Sequence, residues 1–315
     1  MRRRTAVLAA LPLIFAAACG TAQKSDSSAS QAAASEIKVT GQVDQKPTLT
    51  FPTGKPPLTS SSKTIVEGKG DPAKEGDVLT AKVTVYSWDG KENKSPGSDY
   101  DQGKSEFVTV SPQLPKALYQ ALQGAKPGAR VLAVIAKDNL TEDQVANAKQ
   151  QGTDFTTSSQ VLVVDVLARA PKAAQGPATD PGIEGVKVVN PGDEKAPTLT
   201  TKTKAKPPKD LVVKTVIEGK GPKVTADQTV LAHYTGKIWG TDKQFDSSWE
   251  RGEPSTFALN QVVKGWSQGL TGVPVGSRVL ITIPPELGYG KEGNPQGGIK
   301  GTDTLVFVVD VLGAA

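Results

Sequence analysis

Apolar residues along most of this chain come in short runs bounded by Gly, Pro, Asn or Asp, a pattern that predicts strands. The clearest runs are residues 230–234, 278–284 and 304–312. A short helix is expected over 263–270, opened by Asn260 as its cap, with a counterpart over 114–122. Strands with one helix packed on them imply an α+β domain whose sheet is mainly antiparallel.

The pattern occurs twice. Pro47-Thr48-Leu49-Thr50 returns as Pro197-Thr198-Leu199-Thr200, and Val66-Glu67-Gly68-Lys69-Gly70 returns as Ile217-Glu218-Gly219-Lys220-Gly221. Gly128-Ala129-Arg130-Val131 returns as Gly276-Ser277-Arg278-Val279, and Val163-Val164-Asp165-Val166-Leu167 as Val308-Val309-Asp310-Val311-Leu312. A period this long signals domain duplication, not a solenoid. Residues 37–168 and 186–315 are the two copies, and 169–185, dominated by Ala, Pro and Gly, reads as a linker.

Composition fits two modest cores separated by irregular segments: apolar residues make up 37% of the chain, with 32 Gly and 23 Pro. The net charge of +5 suggests an acidic partner until its source is located. Without Arg2, Arg3 and Arg4 the 37 basic residues fall to 34 against 32 acidic, and no basic run has interleaved aromatics, so nucleic acid is not an expected partner. Those three arginines, with the apolar run 6–18, read as an export signal too short to span a bilayer. Ala16-Ala17-Ala18-Cys19-Gly20 resembles a bacterial lipobox, although that pattern more often has Leu at position 16. The resemblance implies removal of 1–18, lipidation of Cys19, the only cysteine, and anchoring to the outer face of the cytoplasmic membrane. The competing reading is an incidental cysteine. Residues 19–36, rich in Ser and Ala, then form a flexible tether.

Chemistry is narrowed by what the chain lacks. It has a single histidine, His233, and no Gly-rich phosphate loop, Cys/His cluster or nucleophile elbow, so neither a metal nor a cofactor is expected. Alternation places His233 on the opposite sheet face from Tyr234. The second copy has instead a series of aromatics near turns: His233-Tyr234-Thr235-Gly236, Phe245-Asp246-Ser247-Ser248, Phe257-Ala258-Leu259, Val262-Val263-Lys264-Gly265-Trp266, Leu287-Gly288-Tyr289-Gly290 and Thr304-Leu305-Val306-Phe307. Any one of these aromatics alone is better read as core. In register over this span they resemble the FKBP-type peptidyl-prolyl cis-trans isomerase family.

That resemblance implies two tandem FKBP-like domains, each a half-open antiparallel sheet wrapped around a short helix. In the second it implies a hydrophobic pocket for proline-containing polypeptides and the macrolides tacrolimus and rapamycin. Trp266 would form the floor, with Tyr234, Phe257, Val262, Val263 and Phe307 as walls. Asp246 would stand at the mouth beside Phe245, and Tyr289 would offer its hydroxyl to a substrate carbonyl. Ile299 is a further contact in a loop that differs from the family's better-known forms, where Asn294 replaces a histidine. The function implied is isomerisation assisting exported proteins at the membrane surface; the alternative is a non-catalytic lipoprotein that holds peptides or a protein in the same pocket.

The first copy is expected to keep its core and lose its pocket. Counting from Asp77 and Asp227 sets Thr84 opposite Tyr234, and Tyr100-Asp101 and Phe107 are set opposite Phe245-Asp246 and Phe257. Leu118 replaces Trp266, Ala117 replaces Gly265 and Pro115 replaces Val263. Residues 136–157 read as a polar insertion with a helix start at Thr141.

Overall fold

A computed structural model describes residues 32–192 and 194–315. The expected signal segment 1–18, Cys19 and most of the expected tether 19–36 lie outside the described residues. The chain divides into two compact units between Arg169 and Ala170.

Each unit is built on a six-stranded antiparallel sheet with the same strand order. In the second, Val212–Ile217, Arg278–Ile283, Leu305–Ala314, Thr229–Ile238 and Gln244–Ser247 lie side by side, and Ser255–Ala258 also pairs with Thr229–Ile238. In the first, the order is Ser61–Val66, Arg130–Ile135, Ser159–Arg169, Val78–Trp88 and Gly97–Ser98, with Glu106–Thr109 on Val78–Trp88. An equivalent helix packs against the same face of each sheet, Lys264–Leu270 and Lys116–Leu122. Asn260 does not cap the first of these: Val263 holds the N-cap position and makes no side-chain cap bond. In the other helix the Ala117 N–H donates to Asn139 Oδ1 at 2.8 Å, so a distant loop replaces a local cap.

Both sheet faces are covered, which explains why the strands read as unbroken apolar runs. In the second unit Val279, Ile281, Ile283, Leu305, Phe307 and Val309 face the helix. Leu280, Val306 and Val308 face the other way, into a cluster with Leu199, Val216 and Trp239. A small hairpin, Lys187–Val189 with Thr198–Thr200, contributes Leu199 to this back layer, and the repeated Pro-Thr-Leu-Thr motif supplies its second strand. Lys38–Thr40 with Thr48–Thr50 is its equivalent in the first unit.

A buried arginine–carboxylate pair fastens each back layer. Arg278 Nε and Nη2 donate to Asp310 at 2.5 and 2.6 Å, and Nη1 reaches Asn190 Oδ1 at 2.7 Å. Arg130 binds Asp165 in the same way and also donates to the carbonyls of Gly41, Gln42 and Gln45. Removing one partner of such a pair costs about 3–5 kcal/mol, because the other charge is left buried.

Two stretches that composition marks as flexible are packed. Within 169–185, Ala173 and Ala174 are buried, the Ala174 N–H donates to Asp310 at 2.8 Å, and Ala178 bridges to Ile217. At the end of 19–36, residues Ala32–Glu36 form a helix whose Ala34 is buried and donates its N–H to Ser61 Oγ at 2.9 Å. Alanine lets backbone approach a sheet closely, so an Ala-rich stretch reads as linker by composition and still docks.

Candidate functional site

The front of the second sheet, its helix and the turns between them enclose a cluster of aromatic rings. Trp266, third residue of the helix and 4% exposed, lies at its centre. Its ring centroid is 4.7 Å from Phe257, 5.3 Å from Phe307 and 5.5 Å from Tyr234. Tyr234 and Phe307 meet it nearly perpendicularly, at 88° and 83°, the edge-to-face geometry that aromatic quadrupoles favour. Phe245 stands at 85° to Phe307, 5.4 Å away. Val262, Val263 and Leu287 pack against the same cluster, and Ile299 is buried within it. The Ile299 loop is held by paired Asn294 and Ile299 backbone hydrogen bonds.

Two glycines make room for these rings. A Cβ at Gly236 would stand 2.6 Å from Phe245 Cζ and 2.8 Å from Phe307 Cε1; one at Gly265 would stand 2.4 Å from Ile283 Cγ2. Gly236 thus lets two phenylalanines cross the strand, and Gly265 lets the helix bring Trp266 down onto the sheet.

The polar edge of the cluster is a trio. The Tyr234 hydroxyl donates to Asp246, and Arg251 donates to Asp246 Oδ1 at 2.5 Å and to the Tyr234 hydroxyl oxygen at 2.9 Å. Burial, then the hydrogen bond to Asp246, raises the Tyr234 phenol to about 12, so it remains protonated at neutral pH. Arg251 closes the turn Ser248–Arg251, and its role is not visible in the sequence because Asp246 and Tyr234 lie five and seventeen residues away. Tyr289 differs from the other aromatics: it is 40% exposed, and its hydroxyl makes no hydrogen bond to the described residues. His233 points to the back face, stacked on Trp249 at 3.9 Å with Nδ1 2.9 Å from Ser248 Oγ; burial lowers its imidazole to about 4.

Strand register identifies what stands at each of these places in the first unit. Lys82 pairs with Asp165 as His233 pairs with Asp310, so Val83, not Thr84, takes the place of Tyr234. The miscount arises because Asp77 matches Gln228, not Asp227: their carbonyls accept the equivalent N–H groups of Val110 and Leu259. Val108 pairs with Leu79 as Phe257 pairs with Val230, so Phe107, one residue off, is not the counterpart of Phe257. Gly97 matches Asp246, so Tyr100-Asp101 does not preserve the rim. Tyr100 instead donates its hydroxyl to Asp165 on the back face.

Leu118 does stand in place of Trp266, Leu162 replaces Phe307 and Val85 replaces Gly236. Residues 136–157 contain the expected helix, Glu142–Gln150, opened by a Thr141–Gln144 capping box. Phe155 from this insertion is buried in the same core, with Leu140, Val145 and Ala148 against it. Aliphatic side chains and the insertion therefore occupy the first unit where the second has an aromatic cluster.

A family model for FKBP-type peptidyl-prolyl cis-trans isomerases matches residues 221–312, wholly inside the second unit. The FK506-binding protein of Streptomyces anulatus is 45% identical over 108 residues, 34% of this chain and 87% of that protein. The probable FK506-binding protein of Corynebacterium glutamicum is 43% identical over 107 residues, 34% of this chain and 89% of that one. The crystal structure of FkpA from Escherichia coli aligns with 36% identity and a TM-score of 0.32, covering 42% of this chain and 53% of that one.

Proposed function

The chain belongs to the FKBP-type peptidyl-prolyl cis-trans isomerase family, and from that membership we propose that its second unit catalyses X-Pro isomerisation in exported polypeptides at the membrane surface. The observation that supports this most is the aromatic cluster around Trp266, assembled in the second unit and replaced by aliphatic side chains in the first.

An X-Pro bond prefers trans only slightly yet crosses a barrier of about 18–20 kcal/mol, so uncatalysed exchange takes tens of seconds or more. Twisting the amide removes its resonance and makes the carbonyl less polar. An apolar recess favours that twisted state over the hydrated planar one and needs no nucleophile. Lowering the barrier by about 7 kcal/mol accelerates exchange roughly 10⁵-fold. In this reading the proline ring rests on Trp266, between Tyr234, Phe257, Val262, Val263 and Phe307, with Ile299 as a further wall. Asp246, oriented by Tyr234 and Arg251 beside Phe245, orders the polar part of the substrate, and the unpaired Tyr289 hydroxyl donates to a substrate carbonyl. Tacrolimus and rapamycin occupy the same recess.

Lipidation of Cys19 after removal of residues 1–18 would hold the catalyst outside the cytoplasm, where exported chains emerge unfolded. Supporting this are the basic start, the short apolar run and the lipobox-like Ala16-Ala17-Ala18-Cys19.

Isomerisation is tested on the whole chain by exchange spectroscopy of a proline peptide. The wild type should accelerate exchange, and a Phe257→Ala/Trp266→Ala variant should not. Full activity in that variant would move catalysis elsewhere, and binding without acceleration by the wild type would favour a peptide-holding module. Cell fractionation tests anchoring: Cys19→Ala should release the chain or leave it unprocessed, and an unmodified wild-type chain soluble in the cytosol would refute it.

A further inference from the structure

Lys202, Lys204, Lys206 and Lys209 fall within eight residues, all four are exposed, and none is ion-paired among the described residues. Their backbone is ordered. The Thr201 N–H donates to Asp242 at 2.9 Å, and the Trp239 indole N–H donates to the Ala205 carbonyl at 3.0 Å. Thr203 and Ala205 turn inward between the lysines, and Ala205 packs into the back cluster of the sheet. Lys202, Lys204 and Lys206 are thus exposed, while Thr203 and Ala205 between them are half-buried.

The ridge does not come with the repeat. Aligned on Pro56-Pro57 and Pro207-Pro208, the first unit has Phe51, Thr53, Lys55 and Leu58 at the same places. Nor does it reflect overall charge, since beyond Arg4 the chain carries 34 basic and 32 acidic residues.

We propose that this ridge docks on the anionic phospholipid headgroups of the membrane to which Cys19 would tether the chain, a surface that rests on the anchoring reading above. Lysine ammoniums on flexible stems, without an arginine fork, an aromatic or a shaped recess, suit a diffuse layer of phosphates. Protein interfaces are instead depleted in lysine and enriched in arginine and aromatics. Each lysine near an anionic bilayer strengthens binding roughly fivefold. A lipid at residue 19 fixes one point and leaves the unit free to turn; the ridge supplies an orientation. Ala205 lies in the cluster behind the sheet and Trp266 in the one before it. Docking therefore turns the aromatic recess away from the bilayer, toward arriving chains.

The test is co-flotation of residues 20–315, without lipid, with phosphatidylcholine vesicles containing or lacking phosphatidylglycerol, at low and high salt. Binding should require phosphatidylglycerol, weaken in high salt and fall roughly 600-fold, fivefold for each of the four lysines, in K202Q/K204Q/K206Q/K209Q. It should persist in K69Q/K91Q/K104Q/K137Q, which changes net charge equally. Unchanged proline-peptide turnover in both variants verifies folding. Equal binding to both vesicle types, equal loss in both variants, or retention on polyglutamate with none on vesicles would overturn the proposal; the last would indicate an acidic protein partner. Because residue 19 is absent, failure here leaves the lipid reading standing, and failure of fractionation leaves the vesicle result standing.

Discussion

Replacing Gly236 by alanine sets two effects of opposite sign against each other. The unfolded chain loses glycine's freedom, which stabilises the fold by about 0.4–1 kcal/mol where the native backbone accepts alanine. The new Cβ, however, arrives 2.6 Å from Phe245 Cζ and 2.8 Å from Phe307 Cε1. These are ring atoms locked edge-to-face at 85°, not mobile chain ends, so relief requires both rings to turn. Overpacking of this kind costs about 1–3 kcal/mol, so it wins, and the second unit should lose about 1 kcal/mol net. Both displaced rings belong to the proposed substrate site, so kcat/KM for a proline peptide should fall about tenfold, equivalent to ~1.4 kcal/mol of transition-state stabilisation. Urea unfolding and exchange spectroscopy measure the two quantities on one sample. Adding Phe245→Leu, which removes one of the clashing rings, should restore part of the stability, a coupling that independent sites would not show. A variant more stable than wild type with undiminished turnover would refute the reasoning.

Trp266→Ala should weaken tacrolimus binding by about 2–4 kcal/mol, the scale of losing a large buried aromatic, as read by calorimetry. His233, lowered to about 4 by burial, is neutral when folded while its unfolded form titrates near 6.5. Stability of the second unit should therefore fall as pH drops from 6.5 toward 4, by roughly 1–3 kcal/mol more than in His233→Gln, compared by urea unfolding at each pH. Glu106 in the first unit is raised to about 7, by burial first and by Asp99 second. Its penalty grows as pH rises from about 4.5 to 7, so Glu106→Gln should stabilise that unit by about 1–3 kcal/mol at pH 8 and by little at pH 4 in the same measurement.

The strands, the two helices and the clustering of Tyr234, Phe245, Phe257, Val262, Val263, Trp266, Ile299 and Phe307 were legible because each rests on local pattern or on motifs in register. Errors came where one residue decides a face. Setting Thr84 or Phe107 against the pocket aromatics differs from the observed pairing by a single position, and in a strand that exchanges the core face for the opposite one. No local signal marks Gln228, not Asp227, as the match to Asp77; only the bonds from Val110 and Leu259 do so. Arg251 was hidden for a related reason, since its reach to Asp246 and Tyr234 depends on the turn at Ser248–Arg251 and on strand pairing together.

The corrected register bears on why the first unit would be catalytically empty. On the sequence alignment it kept an aromatic and an acid at the rim while losing the floor and the places of Tyr234 and Val263. With Val83, Gly97, Val108, Leu118 and Leu162 at the key places, Tyr234, Asp246, Phe257, Trp266 and Phe307 all lack counterparts. Val85 also carries the side chain that Gly236 must lack, and Phe155 of the insertion is buried in the core beside them. A Leu118→Trp change would therefore meet a core already filled and cost stability through overpacking, without creating a recess. The two units share a scaffold, fastened on the back by the same Arg–Asp pair, but the front of one carries aliphatic side chains where the other carries aromatic rings.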